Sequence, residues 1–171
     1  MSVHGKTVAV LGGDRRMAEA VHFFLRAGAK VRLAGLEWDD RFAGVQVCSS
    51  GAEALTGAQA AVLPVQGATQ DGKVFTVPGA PSCQIDVEAV RRLDRGATLF
   101  VGIGNPYLSR ICEEAGVPLV EYRETDDFAT WNSIPSAEGA IQMAMEATPF
   151  TIFGSRSLVL GFGRTGKAVA L

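Results

Sequence analysis

Short apolar runs alternate with stretches of helical periodicity through the first 122 residues, and this alternation constrains the fold more than any other feature. Thr7-Val-Ala-Val-Leu11 has the composition of a buried strand and is closed by Gly12-Gly13-Asp14. The next segment places Met17, Val21, Phe24 and Leu25 on one helical face, with Glu19, His22 and Arg26 opposite. Gly28 then stands where a helix C-terminus favours glycine. Further strands are expected at Lys30–Ala34, 60–63, 98–103 and 118–122. Helices are expected at 86–93 and from Asn105-Pro106 to about Gly116. Such alternation implies right-handed crossovers and a doubly wound parallel sheet. Five strands fit an α/β fold of flavodoxin-like or Rossmann-like type, with strand order 2-1-3-4-5.

Composition agrees with a globular α/β chain and narrows its partners. Glycine supplies 20 of 171 residues, about 12% against a typical 7%, placed singly at the ends of apolar runs rather than in a repeat. The formal net charge is -2 with no basic face, so nucleic acid is not expected as a partner. No apolar run reaches the roughly 18 residues of a membrane span. The segment Met1–Thr7 runs into the first strand pattern without the regions of a signal peptide. Cys48, Cys83 and Cys112 are an odd number without C-x-x-C spacing, and read as reduced thiols of a cytoplasmic protein. No His/Cys/Asp cluster has metal-ligand spacing, so no metal is expected.

Beyond Tyr122 the pattern changes. Pro135 is suited to open a helix, and from 135 to 148 the polar side chains Glu138, Gln142 and Glu146 lie on one stripe, with apolar residues elsewhere. Such a helix suits a junction between domains. Ser157-Leu-Val-Leu160 reads as a strand, followed by Gly161-Phe-Gly163-Arg-Thr-Gly166 and the start of a helix. The expected organisation is therefore an α/β domain at 1–134, an interdomain helix and linker at 135–156, and at 157–171 the truncated start of a second Rossmann domain.

The glycines Gly161, Gly163 and Gly166 match G-x-G-x-x-G after a strand and before a helix, the context that gives the motif its meaning. They permit a tight turn, close approach of a pyrophosphate and close helix packing. The helix N-terminus at Arg164, Thr165 and Gly166 offers free N–H groups to phosphates. Cofactor binding is assigned to Gly161, Gly163, Arg164, Thr165 and Gly166. A dinucleotide unit needs roughly 30 residues, so the chain alone is expected to be inactive. Substrate contacts are assigned to Gly12, Gly13, Asp14, Asn105, Asn132 and Ser133. Each has a plain structural alternative, a tight turn for the glycines and helix capping for the others, and the two roles are compatible. No catalytic acid or base is assigned.

Five segments, Val8-Ala-Val-Leu-Gly-Gly-Asp14, Gly104-Asn-Pro-Tyr-Leu108, Asn132-Ser-Ile-Pro-Ser-Ala-Glu-Gly-Ala-Ile141, Thr151-Ile-Phe-Gly-Ser155 and Val159-Leu-Gly-Phe-Gly-Arg-Thr-Gly166, resemble the A-subunit family of dipicolinate synthase. The family's usual His before Gly154 is Phe153 here. The resemblance implies an oxidoreductase of spore-forming bacteria, in the mother-cell cytoplasm, acting with the synthase's B-subunit. It implies oxidation of a dihydro- or hydroxytetrahydrodipicolinate, a small dicarboxylate, to dipicolinate with NADP as hydride acceptor. Self-association through exposed apolar side chains is expected as well. Two other readings share parts of this pattern: the substrate domain of a 2-hydroxyacid or shikimate type dehydrogenase, and a non-enzymatic flavodoxin-like binding or receiver domain. A receiver needs an Asp after the third strand, where this chain has Pro64 and Val65.

Overall fold

A computed structural model describes residues 2–171 and separates the chain into two compact units, Met1–Tyr122 and Arg123–Leu171. The first unit contains β1 (Thr7–Leu11), α1 (Arg15–Arg26), β2 (Lys30–Ala34), β3 (Gln46–Val47) and α2 (Gly51–Leu55). It continues through β4 (Ala60–Val62), α3 (Val87–Val90), β5 (Thr98–Val101), α4 (Pro106–Ala115) and β6 (Leu119–Glu121). All strands pair in parallel in the order β3-β2-β1-β4-β5-β6. The expected five-strand order is present within it, and β3 adds a sixth strand at the edge.

Strand alternation divides the core in two. Val8 and Val10 of β1 pack with Met17, Ala18 and Val21 of α1, and with Val31 and Leu33 of β2. Ala9 and Leu11 point to the other face, against Leu55 of α2, Val90 of α3, and Leu108 and Ile111 of α4. Leu11, Leu33, Leu55, Leu63, Leu99 and Leu108 are fully buried, each worth about 1.5–3 kcal/mol of burial. The helix termini follow local chemistry. Asp14, Ser50, Asp86 and Asn105 cap α1, α2, α3 and α4 through their side chains, and Gly116 ends α4 in the left-handed conformation.

Two regular elements depart from the sequence pattern. The strand β3 is two exposed residues on the sheet edge, too short and polar to show a period. The helix α2 is five residues long but carries a readable signal. Ser50 Oγ accepts from Glu53 N at 3.1 Å, while the Glu53 carboxylate accepts from Ser49 N at 2.7 Å, close to a capping box.

In the second unit, α5 (Asp126–Ala147) is followed by a segment with a turn at Ile152–Ser155 and no regular element, and then by α6 (Arg164–Ala170). This corrects the expected helix start at Pro135, which lies inside α5. Asp126 and Asp127 favour the earlier start by placing negative charge in the first turn. Pro135 removes the N–H that would reach the Trp131 carbonyl. Hydroxyls on either side engage neighbouring carbonyls, Ser133 Oγ donating to Thr130 O at 2.6 Å and Ser136 Oγ to Asn132 O at 2.9 Å. The expected strand at 157–160 is also corrected. The segment has no strand partner among the described residues, and Leu158 and Leu160 are exposed. A strand needs a neighbour for its backbone hydrogen bonds. No helix among the described residues is long and apolar enough to cross a membrane.

Candidate functional site

The first cluster stands at the carboxyl ends of β1, β4 and β5, where the strand order reverses and open α/β sheets bind ligands. Gly12 and Gly13 have φ of 60° and 103°, which only glycine adopts without strain. Their N–H groups are committed to Ala34 O at 2.8 Å and Phe75 O at 2.7 Å. A Cβ on Gly12 would press on Val74 Cγ1 at 2.7 Å. This loop thereby fastens the segment 74–76 beside β1.

Asp14 caps α1 by accepting from Arg16 N at 2.9 Å, and pairs with the Arg16 guanidinium at 2.7 Å. The Arg16 donors hold the Asp14 carboxyl below its usual range, against the opposing effect of burial. Asn105 uses both ends of its amide. Its Oδ1 accepts from Leu108 N at 2.9 Å, capping α4, and its Nδ2 donates to the carbonyl of Ala68. The loop after β4 is thus held from both sides, by Gly13 at Phe75 and by Asn105 at Ala68. Between these ties lies a cavity of about 310 Å³ floored by Gly67, Ala68 and Val74 and rimmed by Gln66, Thr69 and Lys73.

Three residues of this region are absent from the sequence-based assignment. Tyr122 donates through its hydroxyl to Leu63 O at 3.4 Å, and burial raises its pKa, with Arg16 acting in the opposite sense. Arg16 carries the guanidinium that Asp14 orients. Glu121 accepts from Gly104 N at 2.7 Å across β5 and β6. Neither Arg16 nor Tyr122 belongs to a spaced motif. The turn that builds the cavity was readable from Asp71-Gly72, a strong turn pair.

The second cluster lies wholly within Arg123–Leu171. Asn132, Ser133, Gly161, Gly163, Arg164, Thr165 and Gly166 line one cleft of about 840 Å³. The structure therefore brings together Asn132 and Ser133 with all five residues assigned to the cofactor. Because α5 starts at Asp126, Asn132 and Ser133 sit in mid-helix, and the capping role open to them in the sequence is removed. Glu138 is likewise well past the first turn. Ser133 is buried and donates to Thr130 O. The Asn132 amide is exposed, with no hydrogen-bond partner among the described residues.

The glycine loop has the form its spacing implies. Gly161 takes φ of 100°, Gly163 occupies the N-cap of α6 with open space at its Cβ position, and a Cβ on Gly166 would run into the Gly161 carbonyl oxygen. Gly166 thus lets the first turn of α6 lie directly on the loop. Arg164 forms an ion pair with Asp126, and Lys167 lies 5.3 Å from the Phe162 ring centroid. Cys48, Cys83 and Cys112 are free thiols buried in the first unit, and burial pushes Cys83 and Cys112 up to about 11.

Comparison with known proteins agrees with the motifs. Residues 7–123 match the family described as the N-terminal domain of the dipicolinate synthase A-subunit. The chain is 35% identical over 167 residues to the dipicolinate synthase A-subunit of Bacillus subtilis (strain 168), covering 97% of this chain and 56% of that protein. The crystal structure of the dipicolinate synthase A-subunit from Bacillus halodurans superposes with a TM-score of 0.86 at 34% identity, covering 99% of this chain and 58% of the other. That of the Bacillus subtilis protein gives the same TM-score, identity and coverage. The chain spans little more than half the length of these relatives. By the family match over residues 7–123 and the identity over nearly its whole length, the chain belongs to the A-subunit family of dipicolinate synthase.

Proposed function

We propose that the chain is the substrate-side part of a dipicolinate synthase A-subunit. In this reading it serves oxidation of a dihydro- or hydroxytetrahydrodipicolinate to dipicolinate with NADP, together with the B-subunit, in the mother-cell cytoplasm during sporulation. The observation that carries the reading is the cleft in which Asn132 and Ser133 stand beside Gly161–Gly166, in a chain aligned over nearly its whole length with the Bacillus subtilis synthase. In this reading 1–134 is the substrate-side domain, 135–156 joins it to the cofactor domain, and 157–171 opens that domain.

The residues present fit the phosphate end of a dinucleotide. Gly166 leaves room for the helix turn, Gly163 leaves open space where a side chain would otherwise stand, and α6 presents the N–H groups of Arg164, Thr165 and Gly166. The nicotinamide supplies the hydride acceptor when bound. Oxidation of the dihydro compound removes one hydride and one proton from the ring, and aromatisation drives it. The protein's task is then to orient the dicarboxylate and exclude water. Substrate contacts are assigned to Asn132 and Ser133 in the second unit and to the crevice residues Gly12–Asp14 and Asn105 in the first.

The test is formation of dipicolinate from dihydrodipicolinate and NADP in the presence of the B-subunit, using the protein at the full length of its relatives. Wild type is expected to form product, and Gly163→Asp to abolish it. Asp is a good helix N-cap and meets no clash at this position, so the variant folds while placing a carboxylate against the phosphates. Absence of product with wild type, or undiminished product with the variant, contradicts the reading.

A further inference from the structure

Two Asp-x-Arg turns stand in the first unit and differ in one respect. At Asp39-Asp40-Arg41 the Asp39 carboxylate accepts from the Arg41 backbone N–H at 2.9 Å, from Nε at 2.9 Å and from Nη2 at 2.8 Å. The other side of that guanidinium meets a second carboxylate, with Nη1 donating to Glu19 Oε1 at 2.8 Å. Asp14-Arg15-Arg16 repeats the geometry. Asp14 accepts from the Arg16 backbone N–H at 2.9 Å, from Nε at 3.0 Å and from Nη2 at 2.7 Å. Here the Nη1 side has no partner among the described residues, and the Arg16 side chain is 64% exposed.

A guanidinium has five N–H donors in a rigid plane. Side-on pairing with one carboxylate uses Nε and one hydrogen of Nη2, which leaves a parallel pair on Nη1 and Nη2 suited to a second carboxylate. Arg41 closes that fork within the protein. Arg16 holds it open in the first turn of α1, immediately after β1. Asp14 follows Gly12 and Gly13 at the carboxyl end of β1, so the guanidinium it holds stands at that end of the sheet, and the Tyr122 hydroxyl bonds Leu63 O just beyond β4. The open fork therefore stands at the crevice where the strand order reverses. Asp14 fixes its direction before any ligand arrives, which lowers the ordering cost of binding.

We infer that Arg16, oriented by Asp14, is the seat for a carboxylate group of the substrate. The inference rests on the proposed function only in naming the ligand as a ring 2,6-dicarboxylate; an open fork at this crevice selects a carboxylate on its own chemistry. The test follows backbone and arginine side-chain NMR signals of the 171-residue chain during titration with pyridine-2,6-dicarboxylate, with succinate as an open-chain dicarboxylate and sodium chloride as the ionic-strength control. Saturable shifts are expected at Arg16 Nε and at the amides of Gly13 and Leu63, with the pyridine dicarboxylate preferred over succinate. Arg16→Gln should weaken binding roughly tenfold to a hundredfold. Arg16→Lys should recover only part of it, because an ammonium has no fork, and Arg41→Gln should leave it unchanged. The amide spectrum of each variant reports its fold. Equal affinity in wild type and both Arg16 variants overturns the seat and leaves the proposed substrate standing. Binding that depends on Arg16 but takes succinate equally well upholds the seat and overturns the proposed substrate. No saturable shift at Arg16 with either dicarboxylate overturns the seat.

Discussion

Asn105→Ala removes two interactions at once, and the structure sets the size of the effect. The Oδ1 cap on Leu108 N is lost, at a cost of about 1 kcal/mol for replacing an N-cap residue by Ala. The carbonyl of Ala68, in a residue only 6% exposed, loses the Nδ2 donor. Leaving a buried acceptor unmatched costs roughly 1–3 kcal/mol. The sum is about 2–4 kcal/mol, which for a chain of this size lowers Tm by roughly 5–15 °C. Asn105→Ser separates the two parts. Serine caps α4 but is too short to reach Ala68, so it should recover about 1 kcal/mol of the loss. Thermal unfolding followed by circular dichroism measures all three proteins, and hydrogen exchange at the loop 67–75 reports whether the tie to Ala68 has opened. The strut role assigned to Asn105 is refuted if Asn105→Ala melts within about 1 °C of wild type and the loop exchanges no faster.

Gly166→Ala places a Cβ against the Gly161 carbonyl, a backbone group that cannot swing aside. Binding of the reduced cofactor NADPH, followed by its fluorescence, is expected to be lost, and unchanged binding would show that the loop and α6 do not need this approach. The buried thiols Cys83 and Cys112 should resist a thiol reagent at pH 8 in the folded protein and react on unfolding. Their folded pKa of about 11 lies above the ordinary 9.0. Unfolded thiols therefore ionise first as pH rises, and the stability these thiols contribute should be intact below 9.0 and decline between 9.0 and about 11. Chemical denaturation across that range checks the sign, and rising stability would contradict it.

Five strands of the first unit were legible, β1, β4 and β5 from their apolar runs, β2 from Val31 and Leu33 alternating with Lys30 and Arg32, and β6 from Leu119-Val120 after Pro118. The strand 7–11 and the helix opening at Pro106 match residue for residue. Gln46–Val47 was not legible, since two exposed residues have no period and gain their strand identity only from pairing with Arg32 and Leu33. Pro135 misled for a definite reason. Proline favours a first helical turn, yet the acidic pair Asp126-Asp127 starts the helix earlier and serine hydroxyls bond the carbonyls around the proline. The turn at Gly161 and the helix after Gly163 were legible from the glycine spacing, whereas the strand expected before them has no partner among the described residues. Arg16 was not legible, because its side-on pairing with Asp14, which leaves its Nη1 side without a partner among the described residues, is a matter of side-chain geometry that no spacing encodes.

The Asn132 amide, without a hydrogen-bond partner among the described residues, stands in the cleft that also holds the glycine loop. Steady-state oxidation of dihydrodipicolinate by the protein at the full length of its relatives, with a dipicolinate synthase B-subunit added, compared for wild type and Asn132→Ala, tests the proposed substrate contact most directly. The expected result is a tenfold to hundredfold fall in kcat/KM, about 1–3 kcal/mol of lost hydrogen bonding, with NADP affinity and Tm unchanged. Undiminished kcat/KM in the variant, or a loss confined to NADP affinity, would contradict the assignment of Asn132 as a substrate contact.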